Sequence, residues 1–254
     1  MSRKFEKKKD TSWERAGKWY GNLVGEKGHF YHQSVVIPKS LKLLDIKPES
    51  KLLDVGCGSG VLGRHIPAQV KYLGVDKAPS LIEQAKKIDG NMNHKYAVAD
   101  VTESIPGDNF DRAVVILALQ NIKEPEKTIE NIAKKLIQGG KLLIVLNHPS
   151  FRIPRQSGWE IDKGSKTQYR RVNRYMNPLE IPVEMHPGKR DGQLTWSYHH
   201  PLSDYSDYLY KSGFLIEKIE EWTSEKISKG SAAGMENRAR EEFPMFMAIL
   251  AVKK

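Results

Sequence analysis

The stretch Leu52-Leu53-Asp54-Val55-Gly56-Cys57-Gly58-Ser59-Gly60 joins an apolar segment to a loop with glycine at every second position. Glycine has no Cβ and tolerates positive φ, so such a loop can pass very close to a ligand. The G-x-G-x-G spacing differs from the G-x-G-x-x-G fingerprint of nicotinamide and flavin sites. The pattern predicts a strand followed by a ligand-binding turn, although a tight strand-to-helix turn also explains the glycines without any ligand.

The order of elements after this loop favours the ligand-binding interpretation. Short apolar segments alternate with helical patterns, and the continuous apolar run 113–117 is typical of a strand buried on both faces. Alternation of this kind predicts a parallel sheet with helices on both faces. The predicted strands are 51–55, 71–76, 95–99, 111–119, 141–146, 214–222 and 244–252, and the predicted helices are 12–22, 61–66, 79 onward, 124–137 and 202–212.

Two acidic residues follow neighbouring predicted strands. Asp76 ends the second strand and Asp100 ends the third, and ligands of doubly wound sheets bind at the carboxyl ends of the strands. An ionised carboxylate only accepts hydrogen bonds, so Asp76 suits the two hydroxyls of a ribose and Asp100 suits an exocyclic amine. Asp54 is expected to steady the glycine loop. Cys57 is expected to act as a small packing residue rather than a nucleophile.

The glycine loop with Asp54, then Asp76, then Asp100-Val101, resembles the class I S-adenosylmethionine-dependent methyltransferases. The segment 118–122 is similar to the family's stretch beside the methionine end of the cofactor. The resemblance implies an α/β, doubly wound, Rossmann-like sheet of seven strands whose last strand is antiparallel. It also implies S-adenosylmethionine as cofactor, with binding residues Asp54, Gly56, Cys57, Gly58, Gly60, Asp76, Lys77, Asp100, Val101, Leu117 and Gln120.

Composition limits the remaining possibilities. The 254 residues carry a formal charge of +10 and one cysteine, which excludes an internal disulfide and suits a cytoplasmic location. The longest apolar run is far shorter than the roughly 20 residues of a spanning helix, and no signal peptide is visible. We expect a basic tail with cap helices over 1–34, a cofactor-binding core over 35–147, a lid insertion over 148–200 and the rest of the core over 201–254.

The insertion at 148–200 is rich in aromatic and basic residues and follows the fifth predicted strand. Long loops in compact domains are usually functional or form a subdomain, so we predict a lid over the acceptor. Together with the segment around Tyr31, it contains our candidate substrate residues, which are Tyr31, Arg152, Trp159, Trp196 and His200.

Methyl transfer to a hydroxyl or ammonium needs a base, and we nominate His148, His199 and His32. A hydrogen-bonded structural role is the ordinary alternative for each histidine. No histidine pair has zinc-finger or H-E-x-x-H spacing, so no metal site is expected.

The sequence therefore predicts a methyltransferase acting on a small-molecule acceptor. An RNA or protein methyltransferase is the first alternative, since the basic tail suits nucleic acid, although no N-P-P-Y-type tetrad follows the fourth strand. The second alternative is a non-catalytic protein that binds the cofactor or a partner. The oligomeric state is not readable from the sequence.

Overall fold

The computed structural model describes residues 13–14, 29–184 and 194–254. Most of the predicted helix over 12–22, and most of the predicted basic tail and cap helices, lie outside these ranges.

Seven strands form one mixed sheet in the order β10-β11-β5-β4-β1-β2-β3. Strands β1 to β5 pair in parallel, and β11 is antiparallel to both of its neighbours, β5 and β10. This topology confirms the predicted doubly wound sheet with an antiparallel last strand. The strands are β1 (Lys51–Val55), β2 (Lys71–Asp76), β3 (His94–Val98), β4 (Phe110–Ile116), β5 (Leu136–Asn147), β10 (Phe214–Trp222) and β11 (Phe246–Lys253).

Helices cover both faces of the sheet. Alternate residues of the central strands point to opposite faces, so Leu52 packs in one apolar cluster and Leu53 in the other. The first cluster includes residues of α1 (Ile37–Leu44) and α2 (Pro79–Ile88), and the second includes residues of α3 (Pro125–Lys135) and α4 (Leu202–Lys211). A fifth helix, α5, spans Ala233–Glu242.

Three predicted elements differ most from the observed ones. The helix expected at 61–66 is only a 3₁₀ turn, Gly63–His65, because Ile66 is extended, as the residue before a proline (Pro67) usually is. Strand β4 ends at Ile116 rather than at 119, because Leu117 adopts a left-handed conformation with φ of 53°. Strand β5 begins at Leu136 rather than at 141, and it therefore contains Gly139 and Gly140.

The segment between β5 and α4 contains two separate antiparallel hairpins. The first pairs β6 (Ser157–Asp162) with β7 (Thr167–Val172), and the second pairs β8 (Leu179–Glu184) with β9 (Leu194–His199). Trp159 of the first hairpin packs edge-on against Phe243, with ring centroids 5.4 Å apart. The division of the chain at 34, 147 and 200, and the role of 148–200 as a lid, remain predictions.

None of the helices within the described ranges has the length and apolarity that crossing a membrane requires.

Candidate active site

The glycine loop turns sharply at the end of β1. Gly56, Gly58 and Gly60 all have positive φ, at 71°, 54° and 74°. A Cβ on Gly56 would lie 2.4 Å from the Cβ of Ala118, so the loop and the end of β4 approach too closely for a side chain. The amides of Gly56 and Cys57 both donate to the carbonyl of Val75, at 2.8 and 3.0 Å. The loop is therefore attached to the end of β2, where Asp76 lies.

Asp76 links the glycine loop to the start of α2. Its Oδ2 accepts the Gly58 amide at 3.0 Å and its Oδ1 accepts the Ala78 amide at 2.9 Å. Burial raises the pKa of this carboxyl, and the backbone hydrogen bonds oppose that rise by stabilising the anion. A carboxylate retains unused lone pairs after two such bonds, so Asp76 can accept further donors from a ligand.

Asp100 lies two residues beyond β3 and is held by neighbouring groups. Lys77 forms an ion pair with its Oδ2 at 2.8 Å, and the amide and hydroxyl of Thr102 donate to its Oδ1. Burial acts to raise the pKa of Asp100, but the bonds from Lys77 and Thr102 outweigh it, and the pKa is lowered. The carboxylate is therefore an ionised acceptor at the edge of the sheet.

The segment that follows β4 carries an unsatisfied acceptor, the side-chain oxygen of Gln120. The NH₂ groups of Gln120 and Asn121 both donate to the Leu117 carbonyl, at 3.0 and 3.3 Å. The buried Oε1 of Gln120 has no hydrogen-bond partner. Buried acceptors without partners are rare in native proteins, so this oxygen is suited to a donor that a ligand supplies.

A cavity of about 1430 Å³ connects these groups. Of the eleven predicted cofactor residues, eight line it. These are Gly56, Gly58, Asp76, Lys77, Asp100, Val101, Leu117 and Gln120. The same cavity extends beyond the sheet to His29 and Tyr31, to Arg152, to Ser197 and Tyr198 of β9, and to Phe246 of β11.

Residues 53–144, which contain the glycine loop, Asp76 and Asp100, match the methyltransferase domain family. These residues therefore form a methyltransferase domain. An S-adenosylmethionine-dependent methyltransferase structure from Mesorhizobium loti superposes with a TM-score of 0.68 at 23% identity, covering 86% of this chain and 99% of that one.

Curated relatives of this methyltransferase extend the comparison. An uncharacterised protein of Haemophilus influenzae is 26% identical over 202 residues, covering 72% of this chain and 74% of that protein. A malonyl-[acyl-carrier protein] O-methyltransferase of Anoxybacillus flavithermus is 29% identical over 101 residues. That match covers 39% of each chain, so the methyltransferase described here spans about two fifths of the length of that relative.

The residues present fit S-adenosylmethionine, the cofactor of this family. The partnerless Oε1 of Gln120 and the glycine loop, which leaves no space for a Cβ at Gly56, provide an acceptor and a close backbone approach. Asp76 would accept from the ribose and Asp100 from the adenine amine. When bound, the sulfonium of this cofactor supplies an electrophilic methyl group.

Three predicted cofactor residues lie behind the loop instead of lining the large cavity. Asp54 is fully buried and accepts the Tyr72 hydroxyl at 2.5 Å. Burial strongly raises the pKa of the Cys57 thiol, which suits a packing residue. Gly60 faces the Tyr96 ring. Asp54 and Cys57 instead line an adjoining cavity of about 50 Å³, together with His32.

Asp54 makes the stability of the protein depend on pH. Burial raises its pKa to about 7, whereas an aspartate in the unfolded chain titrates at about 3.9. At a pH between these two pKa values, Asp54 is protonated in the folded state and ionised in the unfolded state. Its contribution to the free energy of unfolding therefore falls as the pH rises from about 4 to about 7. We expect Asp54→Asn to gain stability relative to the parent over this interval, as measured by urea unfolding at about pH 5 and about pH 7.5.

His32 acts in the opposite direction, since burial lowers its pKa to about 4 and its contribution is lost as the pH falls. Both proteins retain His32, so subtracting the two pH profiles isolates Asp54. Parallel profiles for the parent and Asp54→Asn would show that Asp54 does not carry this dependence.

Tyr96 supports the loop from the side opposite the cavity. Its hydroxyl donates to Asp89 Oδ2 at 2.5 Å, and that carboxylate also pairs with His94 at 2.7 Å. We expect Tyr96→Phe to lower the free energy of unfolding by about 1–3 kcal/mol, because a hydrogen bond to a charged group is lost in the core. Urea unfolding measures the change, and Tyr210→Phe is the control because Tyr210 is 70% exposed. Equal losses for the two variants would refute the supporting role of Tyr96.

The predicted substrate residues divide between the cavity and other surfaces. Tyr31 and Arg152 line the cavity, whereas Trp159, Trp196 and His200 do not. The Trp159 ring packs against Phe243 and lies 5.0 Å from the Arg170 guanidinium. His200 is 3.2 Å from both Asp204 and the Tyr208 hydroxyl, on the α4 side of the fold.

None of the three predicted base histidines reaches the large cavity. His148 is buried, its Nε2 lies 2.6 Å from Glu221, and its Nδ1 accepts the Ser150 amide. His199 bonds through Nε2 to the Tyr175 carbonyl at 2.7 Å. His32 stacks on His29 with ring centroids 4.1 Å apart and lies behind it, in the small cavity.

Of the histidines in the described ranges, His29 is the one that lines the large cavity. Burial lowers its pKa, and the charge of Lys226 lowers it further, so the imidazole is neutral at physiological pH. The sequence could not single out His29, because His29 and His32 both lie within the aromatic cluster 29–32. Tyr198 and the Lys123–Glu180 ion pair also line the cavity and had no sequence signal.

Proposed function

We propose that this methyltransferase transfers the methyl group of S-adenosylmethionine to a small-molecule acceptor. The supporting observation is the single cavity of about 1430 Å³ that joins the strand ends to a second wall. Small-molecule sites usually occupy about 300–1000 Å³, so this cavity has room for a cofactor and an acceptor together. His29, Tyr31, Tyr198 and Phe246 provide an aromatic wall for the acceptor.

The chemistry requires positioning more than covalent participation by the protein. Alignment of two reactants in one enclosed site can supply about 7–11 kcal/mol of the barrier. The wall residues come from three separate elements, so the acceptor would be held between the sheet edge and the β8–β9 hairpin. If the acceptor is a hydroxyl, its proton has to be removed, and His29, which lines this wall and whose pKa is lowered by burial, is our candidate base.

The relatives support oxygen as the acceptor atom, since the Anoxybacillus flavithermus protein is a malonyl-[acyl-carrier protein] O-methyltransferase. The four residues of the aromatic wall lie outside the matched domain 53–144, so they are particular to this part of the chain.

A label-transfer experiment tests the proposal. The protein is incubated with S-adenosylmethionine labelled in its methyl group and with an extract of the source organism, separated into metabolites, RNA and protein. We expect label in the metabolite fraction only. Label confined to RNA or protein would contradict a small-molecule acceptor, and cofactor binding without label in any fraction would favour a non-catalytic role.

An RNA substrate is the second candidate, favoured by the formal charge of +10. Binding to RNA through phosphate contacts would weaken steeply as salt is added. A steep salt dependence that is lost on deleting residues 1–10 would support this candidate and implicate the basic tail.

A further inference from the structure

The acceptor end of the cavity carries positive charge that the described protein does not neutralise. Arg152 lines the cavity, and no acidic side chain of the described ranges forms an ion pair with it. Arg152 is an exposed residue, yet desolvation by the surrounding protein lowers the pKa of its guanidinium, and Tyr31 acts to raise it. Among the residues that the structure describes, Arg152 is thus a partly desolvated cation with no acidic partner.

A second guanidinium lies close to Arg152. Arg170 is fixed by its Nε bond to the Phe151 carbonyl at 2.7 Å and its bond to the Ser157 hydroxyl at 3.1 Å. Burial lowers the pKa of Arg170, and the charge of Arg152 lowers it further, so the two cations repel each other. An anion placed beside Arg152 would relieve this repulsion and would gain charge-assisted hydrogen bonds.

Among the described residues, the glutamates that line the cavity have lysine partners. Glu180 pairs with Lys123 at 3.0 Å, and Glu124 pairs with Lys127 at 3.8 Å. Lys226 adds a further positive charge, because its Nζ lies 4.9 Å from the Tyr31 ring centroid. The strand-end side of the same cavity is acidic instead, with Asp76 and Asp100.

We propose that Arg152, beside Tyr31 and Arg170, forms a subsite for a carboxylate or phosphate group of the acceptor. The inference rests on the proposed function, since it assigns a chemical class to the small molecule methylated at this site. The anionic group lies at the Arg152 end of the cavity and the methyl-accepting atom lies toward the strand ends. A planar guanidinium suits this role because it binds either anion in a bidentate manner.

The test uses the full-length protein, methyl-labelled S-adenosylmethionine and the metabolite extract, with the labelled products separated on an anion-exchange resin. We expect the product to bind the resin. Arg152→Gln should slow its formation at limiting extract by about tenfold or more, because charge-assisted bonds are lost. Arg152→Lys should restore part of the rate. Both variants should bind S-adenosylhomocysteine as the parent does.

Arg171→Gln is the matched control, since Arg171 lies next to Arg170 in sequence but pairs with Glu160. It should leave the rate unchanged. A labelled small molecule that the resin does not retain would overturn the anionic subsite while leaving the proposed function intact, and so would an Arg152→Gln variant with the parental rate. Absence of labelled metabolite from every fraction would remove both proposals.

Discussion

Asp76→Asn is expected to weaken S-adenosylhomocysteine binding by about 100-fold, because about 3 kcal/mol of charge-assisted hydrogen bonding is lost. The two carboxylate oxygens accept the Gly58 and Ala78 amides, at 3.0 and 2.9 Å. Asparagine offers one acceptor oxygen, so its NH₂ group would face one of these N–H donors. The glycine loop would lose an attachment and the ribose would lose an anionic acceptor. Isothermal titration calorimetry measures the change.

Asp45→Asn serves as the control, because Asp45 is exposed and pairs with Lys47 at the end of α1, away from the cavity. It should bind the product as the parent does. An Asp76→Asn protein that folds normally and binds within threefold of the parent would contradict the role given to Asp76.

Gly56→Ala is expected to abolish measurable cofactor binding and to lower the free energy of unfolding by about 2–5 kcal/mol, from overpacking and left-handed backbone strain. The new Cβ would lie 2.4 Å from the Ala118 Cβ, at a residue with φ of 71°. Either the loop or the end of β4 has to move, and both line the cavity. Urea unfolding and calorimetry measure the two effects.

Two variants separate the causes of that loss. Gly139→Ala places a side chain at a similar φ of 73°, with nothing within 4 Å of the new Cβ, so it reports the backbone strain alone. Ala118→Gly removes the atom that Gly56→Ala would strike, so the double variant should recover most of the lost stability. Equal destabilisation by Gly56→Ala and Gly139→Ala, with no recovery in the double variant, would show that close packing is not the constraint.

The sheet and its ligand-binding edge were predictable because their signals are local. A buried parallel strand is a continuous apolar run, and a loop that needs positive φ selects glycine, so 51–60 specifies both. Asp76 and Asp100 follow from the same logic, since residues after parallel strands meet at one edge of the sheet.

The substrate side was less predictable because its contacts join distant parts of the chain. His148 directly follows β5 and so was expected at the ligand edge, but its ring turns to Glu221, which lies 73 residues later in β10. The partner of His199 is a backbone carbonyl, at Tyr175, which no residue pattern reveals. His29 and His32 look equivalent in the sequence, and only their stacking order decides which one faces the cavity.

Equilibrium dialysis of the purified protein against labelled S-adenosylhomocysteine is the most direct test that the ends of β1, β2 and β3 converge on an adenosyl group. One molecule bound per chain, displaced by unlabelled S-adenosylmethionine and largely lost in Asp76→Asn, is the expected result. Retention of no label by a folded protein, or equal retention by the parent and Asp76→Asn, would contradict it.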